Sequence, residues 1–211
     1  MLRLLIFIVL VGSLSAQETI FRQVLDPATD THVEALALFS KPSPSGYFPV
    51  RVKIANNLNT RQTIYLDFKS VHDYSENLQT NSAFSFTAEA GKSVTQDILV
   101  PIVPPSNSTS SSQSGTIMTK LSGSMGNAEN TIQANRDRHQ PAVLLSELLF
   151  TPNASSLDRE MNGRSAGGSS CEFAAKFDPK QLPDDWLAFS GYDSIIMTDA
   201  DWTNIPPGGR N

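Results

Sequence analysis

The sequence predicts a mixed β and α/β fold, in which an antiparallel β-sandwich is followed by an incomplete parallel three-layer α/β segment. Between residues 46 and 105 the chain alternates apolar and polar residues in short runs separated by turn residues. This alternation is typical of strands with one buried face. After Pro141 the alternation is lost, and residues 142–150 form a nearly continuous apolar run, which favours a strand buried on both faces of a parallel sheet.

The first segment, residues 17–138, contains the strands predicted for the sandwich. Phe48, Val50, Val52 and Ile54 share one face of the first predicted strand, and the Asn-rich stretch at 56–59 predicts the turn that follows it. Further strands are predicted at residues 63–68, 83–87, 94–103 and 116–121. Several short strands with turn signals between them predict an antiparallel sandwich. The Ser-rich stretch 105–115 is interpreted as a flexible loop, and residues 123–138 as a linker.

The second segment, residues 139–211, is predicted to follow the order β-α-β-α-β. Its predicted elements are a strand at 142–150, a helix at 155–162, a strand at 172–177, a helical turn at 182–189 with Trp186 packed inward, and a strand at 195–197. A short buried helix is the alternative for residues 142–150. The chain ends at Asn211, soon after the third strand, so this segment is interpreted as truncated.

Both segments resemble known families. Ile54-Ala55-Asn56-Asn57, and the stretch from Ala90-Gly91 to Val100-Pro101, are similar to immunoglobulin-like modules of bacterial exported proteins. The stretch from Leu182 to Asp199 resembles the flavodoxin-like domains related to class I glutamine amidotransferases, which implies a Rossmann-like core. Catalysis in that family needs a Cys at a strand-to-helix elbow and a later His and Glu. Cys171 precedes its predicted strand, so no catalytic residue is carried over.

The N-terminus predicts export. Arg3 precedes an apolar stretch at residues 4–11, and small residues at 12–16 end a pattern typical of a secretory signal peptide, residues 1–16. A buried N-terminal strand or an uncleaved anchor is the alternative. The mature chain is then periplasmic, attached to the cell envelope or extracellular. No later stretch has the roughly 20 apolar residues of a membrane-spanning helix, so no membrane span is predicted.

Charge and cysteine content exclude several further classes. The formal net charge of −5 gives no attraction for a phosphate backbone, so we predict no nucleic-acid partner. Cys171 is the only cysteine, which rules out a disulfide framework within the chain. We interpret it as a buried structural thiol rather than a nucleophile.

Acidic residues near the C-terminus are the candidate metal ligands. Asp193 precedes the last predicted strand, and Asp199 and Asp201 follow it. Carboxylate oxygens are suitable ligands for divalent cations. The alternative, which we favour, is that they form a turn and cap a helix start. The three histidines show no metal-ligand spacing, and no cofactor is predicted.

Two functions remain after these exclusions. The first is an exported structural or binding protein without a catalytic site, whose partner is a protein or a glycan at the cell envelope. The alternative is the N-terminal fragment of an amidotransferase-like hydrolase whose active site lies beyond residue 211.

Overall fold

Two four-stranded antiparallel sheets dominate the computed structural model, which describes residues 18–72, 75–103, 112–134, 136–137, 141–153, 160 and 174–206. The first sheet has the spatial order β1-β2-β3-β6 and the second has the order β5-β4-β8-β9. The strands are β1 (Glu18–Asp26), β2 (Thr31–Ala37), β3 (Gly46–Asn56), β4 (Gln62–His72), β5 (Ser75–Ala88), β6 (Lys92–Ile102), β7 (Ser112–Gln113), β8 (Gly115–Gly123), β9 (Ala128–Gln133) and β10 (Arg136–Asp137). The short strands β7 and β10 pair with each other.

The two large sheets share one hydrophobic core, and together they form a β-sandwich. Alternate residues of β3 and β4 supply its centre, because successive side chains of a strand point to opposite faces. The fully buried residues from these two strands include Phe48, Val50, Val52, Ile54, Ile64, Leu66 and Phe68. The predicted inner face of the strand at 48–54 is therefore confirmed.

Side-chain hydrogen bonds close both sides of the sandwich. On one side the Asn130 amide in β9 donates to the carbonyl oxygen of Ile20 in β1. On the other, Thr80 Oγ1 donates to the carbonyl of Pro101 at 3.0 Å. Residues 128–133, which lie in the predicted linker, thus form a strand of the sandwich.

The predicted turn after β3 is organised by Asn56. Its buried Nδ2 donates to the carbonyl oxygens of Thr60, Ala88 and Glu89 at 2.8–3.0 Å, and its Oδ1 accepts from the Leu58 N–H at 3.2 Å. One side chain therefore ties the β3–β4 connection to the end of β5. An asparagine in such a place satisfies backbone groups that no strand can reach.

The predicted mixed β and α/β fold is wrong, because the described residues are predominantly antiparallel β. The second segment contributes a parallel sheet of only three short strands, in the order β12-β11-β13. These are β11 (Val143–Ser146), β12 (Ala174–Phe177) and β13 (Ser194–Ile196). Among the described residues, 147–153 and Glu160 are α-helical, and so is α2 (Asp199–Asn204); residues 147–153 are called α1. The run at 142–150 is thus a strand that continues directly into a helix.

Proline and aspartate explain why no α-helix connects β12 to β13. Two 3₁₀ helices, Pro179–Gln181 and Trp186–Phe189, occupy this connection. Leu182 is extended because it precedes Pro183, and Asp185 is extended because it caps the second 3₁₀ helix. The helical turn is therefore short, and Trp186, predicted to pack inward, is 72% exposed.

The parallel sheet packs directly against the sandwich through Phe39. Phe39 forms an antiparallel bridge to Phe177 of β12, and the neighbouring Ser40 N–H donates to the Lys176 carbonyl at 3.0 Å. The Phe39 ring also contacts Phe189 and Tyr192, at centroid distances of 5.5 and 5.6 Å. The chain that leaves β2 therefore serves as an additional edge of the parallel sheet, and the two segments share a core.

Two glycines allow a second close contact between the segments. A Cβ on Gly191 would overlap the carbonyl oxygen of Ser45, and a Cβ on Gly46 would contact the Ser190 hydroxyl. Nearby, the Tyr192 hydroxyl donates to the Lys41 carbonyl at 2.8 Å, and burial raises the pKa of that phenol. The loop before β3 and the turn before β13 therefore meet backbone to backbone.

An arginine on the outer face of the first sheet completes this junction. Arg51 makes a bidentate ion pair with Asp97, with N–O distances of 2.7 and 2.8 Å. Its Nη1 donates to Gln181 Oε1 at 3.2 Å. The hydrogen bond to Asp97 raises the pKa of Arg51 against the opposing effect of burial. Arg51 therefore stabilises both the β3–β6 pair and the docking of the first 3₁₀ helix.

Replacing Arg51 with alanine should lower the free energy of unfolding by about 1–2 kcal/mol, because Asp97 then loses its charged partner in a partly buried position. Chemical denaturation measures this change. Arg22→Ala is the matched control, since the Arg22–Asp30 pair spans 3.4 Å with both side chains exposed, and its expected effect is below about 0.5 kcal/mol. Equal losses in the two variants would contradict a structural role for Arg51.

Candidate functional site at the carboxyl end of the parallel sheet

A cavity of about 600 Å³ opens at the carboxyl ends of β11 and β12. Helix α1 leaves β11 directly, the first 3₁₀ helix follows β12 after Asp178, and α2 follows β13. These three connections line the cavity, with residues Glu147, Leu148, Asp178, Lys180 and Asp201 among its walls. The carboxyl end of parallel strands is the usual position for ligands in open α/β sheets, and a small parallel sheet has the same geometry.

Asp201 is the most buried ionisable residue at this cavity, with 1% of its surface exposed. Its Oδ2 accepts hydrogen bonds from Ser146 Oγ at 2.6 Å, from the Thr198 N–H at 2.9 Å and from Thr198 Oγ1 at 2.8 Å. The Asp201 N–H donates in return to Thr198 Oγ1 at 3.1 Å. This reciprocal pair is a capping box at the start of α2, so Asp201 connects that helix to the end of β11.

Burial acts to raise the pKa of Asp201, but the hydrogen bonds from Ser146 and Thr198 favour the carboxylate and hold its pKa below the usual range. A carboxylate that accepts several hydrogen bonds is stabilised in its charged form. Asp201 is therefore ionised near neutral pH and carries a fixed negative charge beside the cavity.

The structure separates the three predicted acidic candidates. Asp199 and Asp201 both lie in the first turn of α2. Asp193 lies at the opposite, amino end of β13, where its Oδ2 accepts from the Ala142 N–H at 2.7 Å. Within the described ranges, no three His, Cys, Asp or Glu side chains form a group that could hold a metal ion. Asp193 accepts a hydrogen bond from a loop N–H and Asp201 caps the start of α2, which are the contacts expected of residues that stabilise a turn and a helix start. Cys171 and His139 lie outside the described residues.

Sequence reasoning missed Ser146. It is fully buried at the end of β11, 55 positions before the carboxylate that it contacts. The capping box itself had a local signal, since Thr198 and Asp201 fit the [ST]-x-x-[DE] pattern. No local sequence pattern indicates that Ser146 donates a hydrogen bond to a carboxylate so far along the chain.

Removing the Asp201 side chain should cost about 2–4 kcal/mol of folding stability, because Ser146 would keep a buried donor without an acceptor and Thr198 would lose its part in the capping box. The pH dependence has a definite sign. Since the folded pKa is depressed, the stabilisation is present above the unfolded value of about 4 and is lost as pH falls through the folded pKa.

Urea denaturation of the wild type and of Asp201→Asn, repeated between neutral pH and about pH 2, measures the stabilisation that the charged carboxylate provides. The difference between them should shrink as the medium becomes acidic. Asp199→Asn is the matched control, because Asp199 lies exposed in the same helical turn and should change stability by less than about 1 kcal/mol. A wild-type advantage that stays constant over the whole pH range would contradict the charged cap.

The fold defines a β-sandwich protein carrying a small parallel sheet with a cavity at its carboxyl end. No family model matches the chain, and no curated protein matches it. Among solved structures it is similar to the sporulation control protein Spo0M from Bacillus subtilis, with a TM-score of 0.32 and 13% identity over 51% of this chain and 49% of that one. The resemblance to immunoglobulin-like and amidotransferase-like modules stays a prediction. No helix within the described residues is long and apolar enough to cross a membrane.

Proposed function

We propose that the chain is an exported structural or binding protein rather than an enzyme. Export rests on the signal-peptide pattern of residues 1–16, and the observation that favours a non-catalytic role is the contact between Ser146 and Asp201. Their 2.6 Å contact has the residue types of a nucleophile and its base, but Ser146 has no exposed surface. The pKa of Asp201 is lowered, whereas a general base works best with a pKa near the working pH. The pair supports a helix cap, which is a structural task.

The outer face of the second sheet is the surface we propose for a partner at the cell envelope. Tyr65 is half exposed in β4, and its cross-strand neighbours are Ser85 and Ser122. In the next row Asp67 lies opposite Lys120, which pairs with Glu129 at 3.6 Å. A polar face with charges of both signs and an exposed aromatic ring between two serines suits a neutral polar partner, such as a glycan or an uncharged protein surface.

Export and binding are tested together with the whole chain. Fractionation and N-terminal sequencing should find a processed form that begins near Gln17 outside the cytoplasm. A glycan array and affinity capture, each followed by a direct binding measurement with Tyr65→Ala, should show a partner whose binding the variant weakens by about tenfold. Leu78→Ala, another exposed position in the same sheet, is the control.

Two results would contradict the proposal. One is an unprocessed chain that starts at Met1 in the cytoplasm. The other is turnover by the chain, for example release of ammonia from glutamine, since Ser146 and Asp201 should not support catalysis.

A further inference from the structure

We propose that the outer edge of β13 binds a partner protein by strand addition, and that the segment it takes is extended, apolar and flanked by basic residues. β13 is the last strand in the sheet order β12-β11-β13. The opposite edge of the sheet is already used, because Phe39 bridges to Phe177 of β12. The β13 edge is separate from the outer face of the second sheet, so the inference goes beyond the proposed function and each can be refuted without the other.

The pairing with β11 shows which backbone groups of β13 face outward. Ser194 is in register with Val143, and its N–H donates toward β11, to the Ala142 carbonyl at 3.4 Å. Consecutive N–H groups of a strand point to opposite sides, so the N–H and carbonyl of Ile195 point away from β11. Because β13 ends the sheet, no described strand pairs with these groups. They are the groups that an added strand would bond.

The side chains of β13 are also open to a partner. Ile195 and Ile196 are 41% and 48% exposed, and successive side chains of a strand lie on opposite faces. Both faces of the strand therefore expose an apolar side chain, whereas strands of parallel sheets are normally covered on both faces. Proteins often block an edge strand with lysine or proline, and residues 194–196 contain neither. An added strand would find apolar side chains to pack against on each face.

The charges beside β13 select the kind of partner. Asp193 directly precedes the strand and Asp199 follows it closely, both are exposed, and residues 193–204 contain no Lys or Arg. A strand with basic residues beyond its ends would meet carboxylates there. A second copy would pair its own β13 antiparallel about a twofold axis. That arrangement would bring the aspartates of the two copies together, and the repulsion opposes it.

NMR titration of the whole chain with a capped peptide of alternating valine and threonine, with a lysine at each end, tests the proposal. Saturable shifts should centre on the amides of residues 194–196, and the Ile195 N–H should exchange at least about tenfold more slowly in the complex. Two control peptides carry glutamate in place of lysine, or methyl groups on the valine and threonine nitrogens. Each should bind at least about tenfold more weakly. Equal binding of the three peptides, or no saturable binding of the lysine peptide, would overturn the proposal.

Substitutions in β13 separate the backbone from the side chains. Ile195→Pro removes the outward N–H, which an edge strand tolerates, and should abolish binding of the lysine peptide, whereas Ile195→Val should retain it. Ile196→Lys places a positive charge on the edge and should weaken binding by about tenfold, and Asp199→Asn by about two- to fivefold. Should Ile195→Pro fail to fold, the other two variants still decide, since unchanged binding in both would refute the proposal.

Other occupants of the edge give different results. Sedimentation of the chain alone should show a monomer, and a dimer in which the Ile195 amide is already protected would refute the proposal in favour of a second copy. Tyr65→Ala should leave binding of the lysine peptide unchanged, because Tyr65 lies in the other sheet. If the lysine peptide does not bind while a partner sensitive to Tyr65→Ala is found, the β13 edge is refuted and the proposed function stands.

Discussion

Phe39→Ala should lower the free energy of unfolding by about 3–5 kcal/mol, the range for removing a fully buried phenylalanine. Phe39 has no exposed surface and lies among Leu38, Leu144 and Phe177 in the core that joins the two segments. Alanine would leave a cavity there and remove the ring contacts to Phe189 and Tyr192. Chemical denaturation followed by circular dichroism measures the loss.

Trp186→Ala is the control for Phe39→Ala. It removes a larger aromatic ring from the same part of the molecule, but that ring is mostly exposed, so the expected change is within about 0.5 kcal/mol. A Phe39 variant as stable as the Trp186 variant would show that the segments do not share a core.

Gly191→Ala should destabilise the junction by about 3 kcal/mol, at the upper end of overpacking costs. The new methyl group would overlap the Ser45 carbonyl oxygen and the Ser43 side chain. Rotation of a side chain cannot relieve a clash with backbone, so the loop before β3 and the turn before β13 would have to separate. Denaturation should show the loss, and limited proteolysis should show faster cleavage within residues 174–206.

Gly91→Ala is the matched glycine control. A Cβ on Gly91 meets nothing within 4 Å, although its φ of +65° is unfavourable for alanine, so the cost should be about 1 kcal/mol. If Gly191→Ala costs no more than Gly91→Ala, the close backbone contact between the segments is refuted.

The centre of the sandwich could be predicted because its strands alternate. Phe48, Val50, Val52 and Ile54 follow a strict period of two, and the inward side of β3 reproduces it. Strand β9 was missed because Ile132 is the one large apolar residue in its six positions, so its pattern was too weak to indicate a strand.

Irregular pairing hid the first strand as well. In β1 the register with β2 shifts between Thr19 and Phe21 and again between Val24 and Asp26. Both Ile20 and Phe21 are therefore buried, although they are adjacent in sequence. A bulge of this kind breaks the period of two, so periodicity alone could not assign the strand.

Long-range contacts account for the rest of what the sequence could not show. The position of the candidate site could be anticipated, because ligands usually bind at the carboxyl ends of parallel strands, and the cap at Asp201 had a local sequence pattern.

Phe39 and Gly191 gave no such signal. Their roles depend on partners 138 and 146 positions away, Phe177 and Ser45, and the prediction of separate segments followed from reading each stretch by itself.

Native-state hydrogen exchange of the whole chain tests most directly whether the parallel sheet and the sandwich fold as one unit. The Ser40 and Lys176 amides bond across the junction, to the Lys176 carbonyl and to Ser40 Oγ at 3.0 and 2.8 Å. Both should exchange with an opening free energy within about 1 kcal/mol of the central amides of β3. Exchange at these two amides that is fast while β3 stays protected would contradict a shared core.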